Sequence, residues 1–220
     1  MKLNAISLTR EEWNTATSFV ASYMDKPTTI EVEASLKMFK EMEHIAGVEA
    51  NSATFNILFD AATKAGKFHL AEMIYQEMKN RGLPYNRFHH VSLIYFHGLR
   101  GDGDSVRSAY KSMIDAGEIV DTVVMNCVIA SLIRAKEPQA AMHVYERMKR
   151  LHVESSMEPP PRDARKRREM DRSLVKLAER ARFNPGLLER YKKTSIIAPD
   201  IRTYRLLINH LARSERTRLN

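Results

Sequence analysis

The side chains in this sequence that could do chemistry do not form a catalytic or metal-binding motif. His89 and His90 are adjacent, and neighbouring side chains on a helix point about 100° apart, so the two rings do not share a metal-binding face. The segment Gly101-Asp-Gly-Asp104 lacks the other ligands of a calcium loop and the Lys-Ser/Thr ending of a phosphate loop. Cys127 is the only cysteine, which excludes an intrachain disulfide and the cysteine-rich metal sites. We therefore expect no enzymatic activity, no cofactor and no metal.

Positive charge is the feature of the composition that favours a particular partner. The chain has a net charge of +8, and residues 162–193 carry 12 basic against 5 acidic side chains. A polyanion such as a nucleic acid would be attracted to this part of the chain. The densest basic run supplies candidates for phosphate contacts, although such a run can also be a solvated surface: Arg162, Arg165, Lys166, Arg167 and Arg168. No apolar run reaches the roughly 20 residues of a membrane-spanning helix.

An internal repeat must position any binding residues. An aromatic residue followed three positions later by methionine occurs four times, and the methionines are 36, 35 and 35 residues apart: Met42, Met78, Met113 and Met148. A small or short side chain precedes each methionine by seven positions, and Gly47, Gly82 and Gly117 follow three of them. Glycine is common just after a helix ends. Each phrase therefore predicts one helix.

A second apolar segment lies upstream of each phrase, at the spacing of an amphipathic helix, and a short turn separates the two. Each unit is thus predicted to be an antiparallel helix pair, and capping boxes at Thr9–Glu12 and Thr28–Glu31 predict two helix starts in the first unit. The expected units are residues 9–51, 52–86, 87–121 and 122–156. Consecutive pairs must stack to bury their apolar faces, and we expect Tyr75, Tyr110 and Tyr145 to be buried where they meet.

These units resemble the pentatricopeptide repeat. The resemblance is carried by Ala53-Thr-Phe-Asn-Ile-Leu58, Lys64-Ala-Gly-Lys67, Tyr75-Gln-Glu-Met-Lys79 and Arg81-Gly-Leu-Pro84, and it extends through residues 17–150 and partly through 199–213. Tetratricopeptide repeats are disfavoured because their Trp, Leu-Gly and Tyr pattern is missing. The resemblance implies an all-α, right-handed superhelical solenoid of antiparallel helix-turn-helix repeats of about 35 residues. It also implies binding of single-stranded RNA (mRNA or rRNA), and a mitochondrial role in RNA stability, processing or translation.

In that family, a residue just after the aromatic residue of the first helix reads a base together with the last residue of the same repeat. Carried onto this sequence, the resemblance gives these base-reading candidates: Val20 with Asn51, Asn56 with Asn86, Val91 with Asp121, Asn126 and Arg205. Ser156 stands at the expected offset from Asn126. An early residue of each repeat sandwiches the base, which gives Ala53, Phe88, Val123 and Arg202. Asparagine could instead form a hydrogen bond between repeats, and valine cannot hydrogen-bond a base.

The C-terminal third departs from the repeat. Residues 157–168 are expected to form a Pro-rich and basic inserted linker, 169–200 a degenerate helical repeat with helices near 169–182 and 186–195, and 201–220 the first helix of an incomplete repeat. We therefore expect a segment of a larger array. The alternative function is a protein-binding helical scaffold, for example in a ribosome-associated or assembly complex. The mitochondrial ribosome and RNA-processing proteins are further expected partners.

Overall fold

In a computed structural model, all the secondary structure of the described residues is helical. The structure describes residues 8–24, 26–155, 161, 163–182, 184, 186 and 197–218. Within these ranges no helix is both long enough and apolar enough to cross a membrane. The chain divides into two compact units, residues 1–88 and 89–220. The second helix of the degenerate repeat, expected near 186–195, falls outside the described residues except for position 186.

The first unit contains two complete helix pairs. The first pair is α1 (Arg10–Ala21) and α2 (Thr29–Lys40), which continues as a π-helical turn over Glu41–Ile45. The second pair is α3 (Ser52–Lys64) and α4 (Phe68–Asn80). The next helix, α5 (Arg87–Leu99), contains the boundary between the units.

The second unit contains four further helices that follow the repeat pattern and one helix added to it. These helices are α6 (Gly103–Asp115), α7 (Thr122–Arg134), α8 (Pro138–Ser155), α9 (Ala164–Arg182) and α10 (Ile201–Arg218). Its main core joins Ile94 of α5, Met113 of α6 and Ile129 of α7 to Met148 of α8 and Leu207 of α10. The helix α9 has a separate small core, formed by Leu174 and Ala178 against Ile119.

Local sequence fixes where the helices begin and end. Both expected capping boxes are present, with the Glu12 and Glu31 side chains accepting from the backbone N–H of Thr9 and Thr28 at 2.7 Å. Gly66 and Gly101 adopt φ values of +72° and +74° in the turns between paired helices, a region that glycine enters without strain. Lys136 occupies the equivalent turn of the next pair with φ +62°.

The four repeated methionines fill the core, whereas the tyrosines of the same phrase do not. Met42, Met78, Met113 and Met148 are at most 1% exposed. The expectation of buried tyrosines was wrong in degree, because Tyr75, Tyr110 and Tyr145 are half-buried. They lie at the edge of the core: Tyr75 stacks on Tyr85 with ring centroids 5.6 Å apart, and Tyr145 meets Tyr204 edge-to-face at 6.2 Å.

The basic segment is largely helical and not a linker. Helix α9 begins at Ala164, so Arg165–Arg168 form its first turn, whereas the sequence placed the helix start near residue 169. Asp163 caps this helix, because its side chain accepts from the backbone N–H of Lys166 at 2.8 Å. An acidic cap offsets the unfavourable interaction of the nearby cations with the positive end of the helix.

Candidate functional site

The candidate base-reading residues lie either on the first helix of a pair or immediately before it. The residues preceding α3, α5, α7 and α10 are Asn51, Asn86, Asp121 and Asp200. Asn51 and Asp121 have extended backbones, and each side chain accepts hydrogen bonds from the first turn of the helix that follows. Such an N-cap residue has its side chain fixed by the backbone it caps. It is therefore a rigid platform for a second side chain from the preceding pair.

Asn56 and Asn86 form one such contact. Asn56 is the fifth residue of α3, and its Nδ2 donates to Oδ1 of Asn86 at 3.2 Å. Asn56 is 9% exposed, while Asn86 is half-buried. The sequence paired these two residues, and the structure brings them together.

Asn126 has the same place in α7, but its partner is not near it in the sequence. Its Nδ2 donates to Oδ1 of Asp200 at 3.0 Å, and its Oδ1 accepts from Oγ1 of Thr203 at 2.7 Å. Ser156, the partner expected from the offset, lies outside the described residues. The contact links positions 74 residues apart, so no fixed spacing could have found it.

In the first pair the side chain that contacts Asn51 is not Val20, the residue that the sequence paired with it. Val20 is near the end of α1, whereas the fifth residue of this helix is Asn14. Asn14 Nδ2 donates to Oδ1 of Asn51 at 3.2 Å, and Thr54 Oγ1 donates to Oδ1 of Asn14 at 2.7 Å. Asn14 therefore replaces Val20 as the partner of Asn51. Counting from the capping box at Thr9 would have found it, because all the other positions lie five residues after an N-cap.

The helix α5 differs because its fifth residue is Val91. Its counterpart at the end of the repeat, Asp121, is fully buried, and its side chain accepts from the backbone N–H of Val124 at 3.0 Å. A valine offers no hydrogen-bonding group. This repeat can contact a base by packing but cannot read its edge through Val91.

The candidates for base stacking occupy the second residue of each first helix. Ala53 and Arg202 are exposed, Phe88 is 44% exposed and Val123 is half-buried. Aromatic rings and guanidinium groups can stack on bases, which makes Phe88 and Arg202 the chemically capable members of the set. Arg205, the fifth residue of α10, is also exposed.

The phosphate candidates lie on α9. Arg165, Lys166 and Arg168 are exposed and Arg167 is half-buried, while Arg162 falls outside the described residues. Arg165 Nε forms an ion pair with Oε1 of Glu169 at 3.1 Å.

Further exposed cations extend this surface beyond the run found in the sequence. These further cations are Arg172, Lys176 and Arg180. Together with two of the phosphate candidates they recur at three- and four-residue spacing on the face of α9 opposite Leu174 and Ala178. We call this set the α9 basic face: Arg165, Arg168, Arg172, Lys176 and Arg180. Side chains at this spacing lie on one side of a helix. The unbroken basic run ends at Arg168, so the sequence did not single out Arg172, Lys176 and Arg180.

Two side chains considered for catalysis, Cys127 and His89, are engaged with the fold itself. Cys127 Sγ donates to the backbone oxygen of Val91 at 3.6 Å. His89 is fully buried, and burial, with a smaller contribution from the charge of His90, lowers its pKa to about 4. Among the described residues, no group of three or more His, Cys, Asp or Glu side chains is arranged to hold a metal ion.

Comparison with known proteins agrees with this architecture. Residues 42–148 match the family model described as "Pentatricopeptide repeat-containing protein". Among solved structures, the chain is similar to the PPR domain of protein-only RNase P 1 from Arabidopsis thaliana, crystallised in complex with tRNA. The two are 15% identical with a TM-score of 0.50, and the match covers 79% of this chain and 83% of that one. No sequence among the curated proteins matches significantly. The all-α helical-repeat solenoid fold expected from the sequence is confirmed, and residues 42–148 of this chain consist of pentatricopeptide repeats.

Proposed function

We propose that this protein binds single-stranded RNA and reads individual bases with the paired side chains at the repeat junctions. The observation that carries the proposal is one geometry found three times: an asparagine amide donating to the side chain of the residue immediately before the next first helix, at 3.0 to 3.2 Å. Helical repeats of this kind read one base per repeat with two or three side chains. The tRNA bound by the similar plant domain supports RNA as the ligand class.

The paired side chains have the chemistry that a base edge requires. An amide supplies two N–H donors and a carbonyl acceptor, and a carboxylate supplies acceptors only. In the Asn56–Asn86 pair the buried Asn56 amide is held by the half-exposed Asn86, so an extruded base can approach a prearranged polar edge. Prearrangement lowers the entropy that binding would otherwise lose. Phe88 and Arg202 supply faces on which a base can stack.

The α9 basic face supplies affinity without sequence preference. Its five cations are exposed, and two exposed glutamates on the helix, Glu169 and Glu179, leave a net positive surface. Cations that contact phosphates release counterions, which favours binding of any RNA strand. Phosphate contacts position the strand, and base contacts select it.

We further propose that the protein acts in mitochondria, in the stability, processing or translation of an mRNA or rRNA, and that it is a binding protein and not an enzyme. The family supports this assignment by analogy. Mitochondrial ribosomes and RNA-processing proteins are the partners that such a role would supply.

A binding titration tests the proposal. Full-length protein is titrated against a pool of single-stranded RNAs and against duplex RNA, at several salt concentrations. We expect single strands to bind more tightly than duplexes, with affinity that falls steeply as salt rises. Absence of RNA binding at low salt would contradict the proposed function.

One observation favours the alternative of a protein-binding scaffold. Four apolar side chains around the α1–α2 turn are at least half exposed: Phe19 (68%), Tyr23 (70%), Met24 (50%) and Ile30 (74%). The rings of Phe19 and Tyr23 meet edge-to-face with centroids 6.1 Å apart, and clustered exposed apolar side chains commonly mark a protein interaction site. If the RNA titration fails, this patch is the first surface to test for a protein partner.

A further inference from the structure

The segment between α7 and α10 contains more residues than a repeat needs. The residues immediately before successive first helices are 35 positions apart at Asn51, Asn86 and Asp121, whereas Asp200 follows Asp121 by 79. The excess of 44 residues is longer than one repeat. By sequence length alone, these residues could form a further unit that takes up its own nucleotide.

The hydrogen bonds show that Asp200 directly follows α7 in the repeat pattern. Thr122, the first residue of α7, exchanges two 3.0 Å hydrogen bonds with the backbone of Ala198, two residues before Asp200. In the uninterrupted repeat, Ser52 at the start of α3 donates to the backbone oxygen of Pro84, two residues before Asn86, at 2.9 Å. Residues 198–200 therefore occupy the place of residues 84–86.

The contacts of Asp200 repeat those of an ordinary junction. Thr203 Oγ1 donates to Asn126 Oδ1 at 2.7 Å and Thr203 N donates to Asp200 Oδ1 at 3.0 Å. In the first pair, Thr54 makes the same two contacts with Asn14 and Asn51, at 2.7 and 3.1 Å. Leu207, seven residues into α10, joins the main core of the second unit.

The added helix α9 lies outside this pattern. Its buried residues Leu174 and Ala178 pack on Ile119, in a cluster separate from the main core. Ile119 belongs to the segment before α7, so α9 is attached beside the junction and does not stand between α7 and α10. The repeat therefore continues from α7 to α10 through the junction at Ala198 and Asp200, although 79 residues separate Asp121 from Asp200 in the sequence.

From this geometry we infer that the insertion adds no base-reading position between α7 and α10: Asn126 and Asp200 form a single base-reading site, and Arg205 of α10 contacts the immediately adjacent nucleotide. The inference rests on the proposed RNA-binding function and adds the register of the strand across the insertion. It also assigns a base-reading role to Asp200. All the described hydrogen bonds of its side chain, from Asn126, Arg202 and Thr203, go to Oδ1, which leaves Oδ2 on the carboxylate to accept from a base N–H.

The test maps each variant to the nucleotide it affects. Full-length wild-type protein and the variants Asn126→Val, Asp200→Asn and Arg205→Ala are titrated at fixed salt against a preferred RNA substituted one position at a time. Asparagine is as good an N-cap as aspartate, so Asp200→Asn preserves the start of α10, and circular dichroism verifies that helicity is unchanged. We expect Asn126→Val and Asp200→Asn to alter base preference at the same nucleotide by about fivefold, the effect of one hydrogen bond. The Arg205→Ala effect should fall on its immediate neighbour.

Three results would overturn the inference. The first is that the Asn126 and Asp200 effects map to different nucleotides, and the second is that only one of these variants changes base preference. The third is that at least one unaffected nucleotide separates the Arg205 position from that of Asn126. The uninterrupted Asn56–Asn86 pair is the internal reference. If Asn56→Val changes base preference and the insertion variants behave otherwise, base reading stands and the register is wrong. If no variant changes preference at any position, base reading itself fails.

Discussion

Removing the positive charge of the α9 basic face should lower the affinity for all RNAs alike and make that affinity less dependent on salt concentration. The perturbation replaces Arg165, Arg168, Arg172, Lys176 and Arg180 with glutamine. All five side chains are exposed, and the packing residues Leu174 and Ala178 are on the other side of the helix. Glutamine also favours helix. The fold of α9 should therefore survive.

The magnitude follows from the number of cations. For single strands, log K falls with log salt by about 0.7 for each phosphate neutralised. If all five cations contact phosphates, the slope decreases in magnitude by about 3.5, and if three do so, by about 2. The assay is fluorescence anisotropy of a labelled single strand across a series of salt concentrations, with a second RNA of different sequence.

A matched control distinguishes local contact from net charge. Five exposed cations on the second helices of the pairs are replaced in the same way: Lys37, Lys40, Lys79, Lys111 and Arg150. This variant has the same net charge as the first but retains the α9 basic face. We expect a much smaller change in slope. Equal slopes for both variants would refute the assignment of phosphate contacts to α9.

Three further predictions concern the stability of the fold. Lys136→Gly should raise the free energy of unfolding, measured in urea titrations, by about 1 kcal/mol. Lys136 has a φ of +62°, a conformation that costs a residue with a side chain more than glycine, and the equivalent turns of other pairs have Gly66 and Gly101. A lower free energy of unfolding would contradict this prediction. Gly98→Ala should lower the melting temperature, because an added Cβ would lie 2.4 Å from Cβ of Ser131 and 2.6 Å from its Cα, an overlap of the kind that costs about 1–3 kcal/mol; an unchanged melting temperature would show that the helices separate freely. His89 should make stability depend on pH, because burial lowers its pKa from 6.5 to about 4 in the folded protein. As pH falls, His89 is protonated in the unfolded chain before it is protonated in the folded protein. The free energy of unfolding should therefore decrease by about 2 kcal/mol from pH 7 to pH 5. A His89→Gln variant should show a weaker decrease, and an equal one would assign the effect to other groups.

The helix pairs could be predicted because their determinants are local. The aromatic-x-x-Met phrases, the capping boxes and the turn glycines act within a few residues, and the structure starts α3, α5 and α7 at residues 52, 87 and 122. The half-buried tyrosines could not be predicted from the same phrase. Residues three positions apart on a helix share one side, but only tertiary packing decides that the methionine enters the core while the tyrosine lies at its edge.

The candidate site was predictable only where its two members lie at the regular spacing. Asn56 and Asn86 obey it. Asn14 was missed because the first pair is longer, with 37 residues between Asn14 and Asn51 against 30 between Asn56 and Asn86. Asp200 was missed because an insertion separates it from Asn126. Such pairs are set by the three-dimensional junction of two helices, and a linear count along the sequence finds them only when nothing is inserted.

The Asn56→Val variant tests the central claim of base reading most directly. Valine naturally occupies this place in α5, as Val91, so the substitution should leave the repeat intact. The matched control is Asn80→Val, which makes the same change on the second helix α4, where Asn80 is exposed and its Oδ1 accepts a hydrogen bond from Gln76 Nε2 at 2.9 Å.

Wild type and both variants are measured at one salt concentration against four RNAs that differ only at the nucleotide assigned to this repeat. We predict that Asn56→Val weakens binding of the preferred RNA by about 1 kcal/mol and binding of the other three RNAs by less. The difference in affinity between the preferred RNA and the others should therefore become smaller. Asn80→Val should bind all four RNAs as the wild type does. Equal losses for all four RNAs would contradict base reading by Asn56.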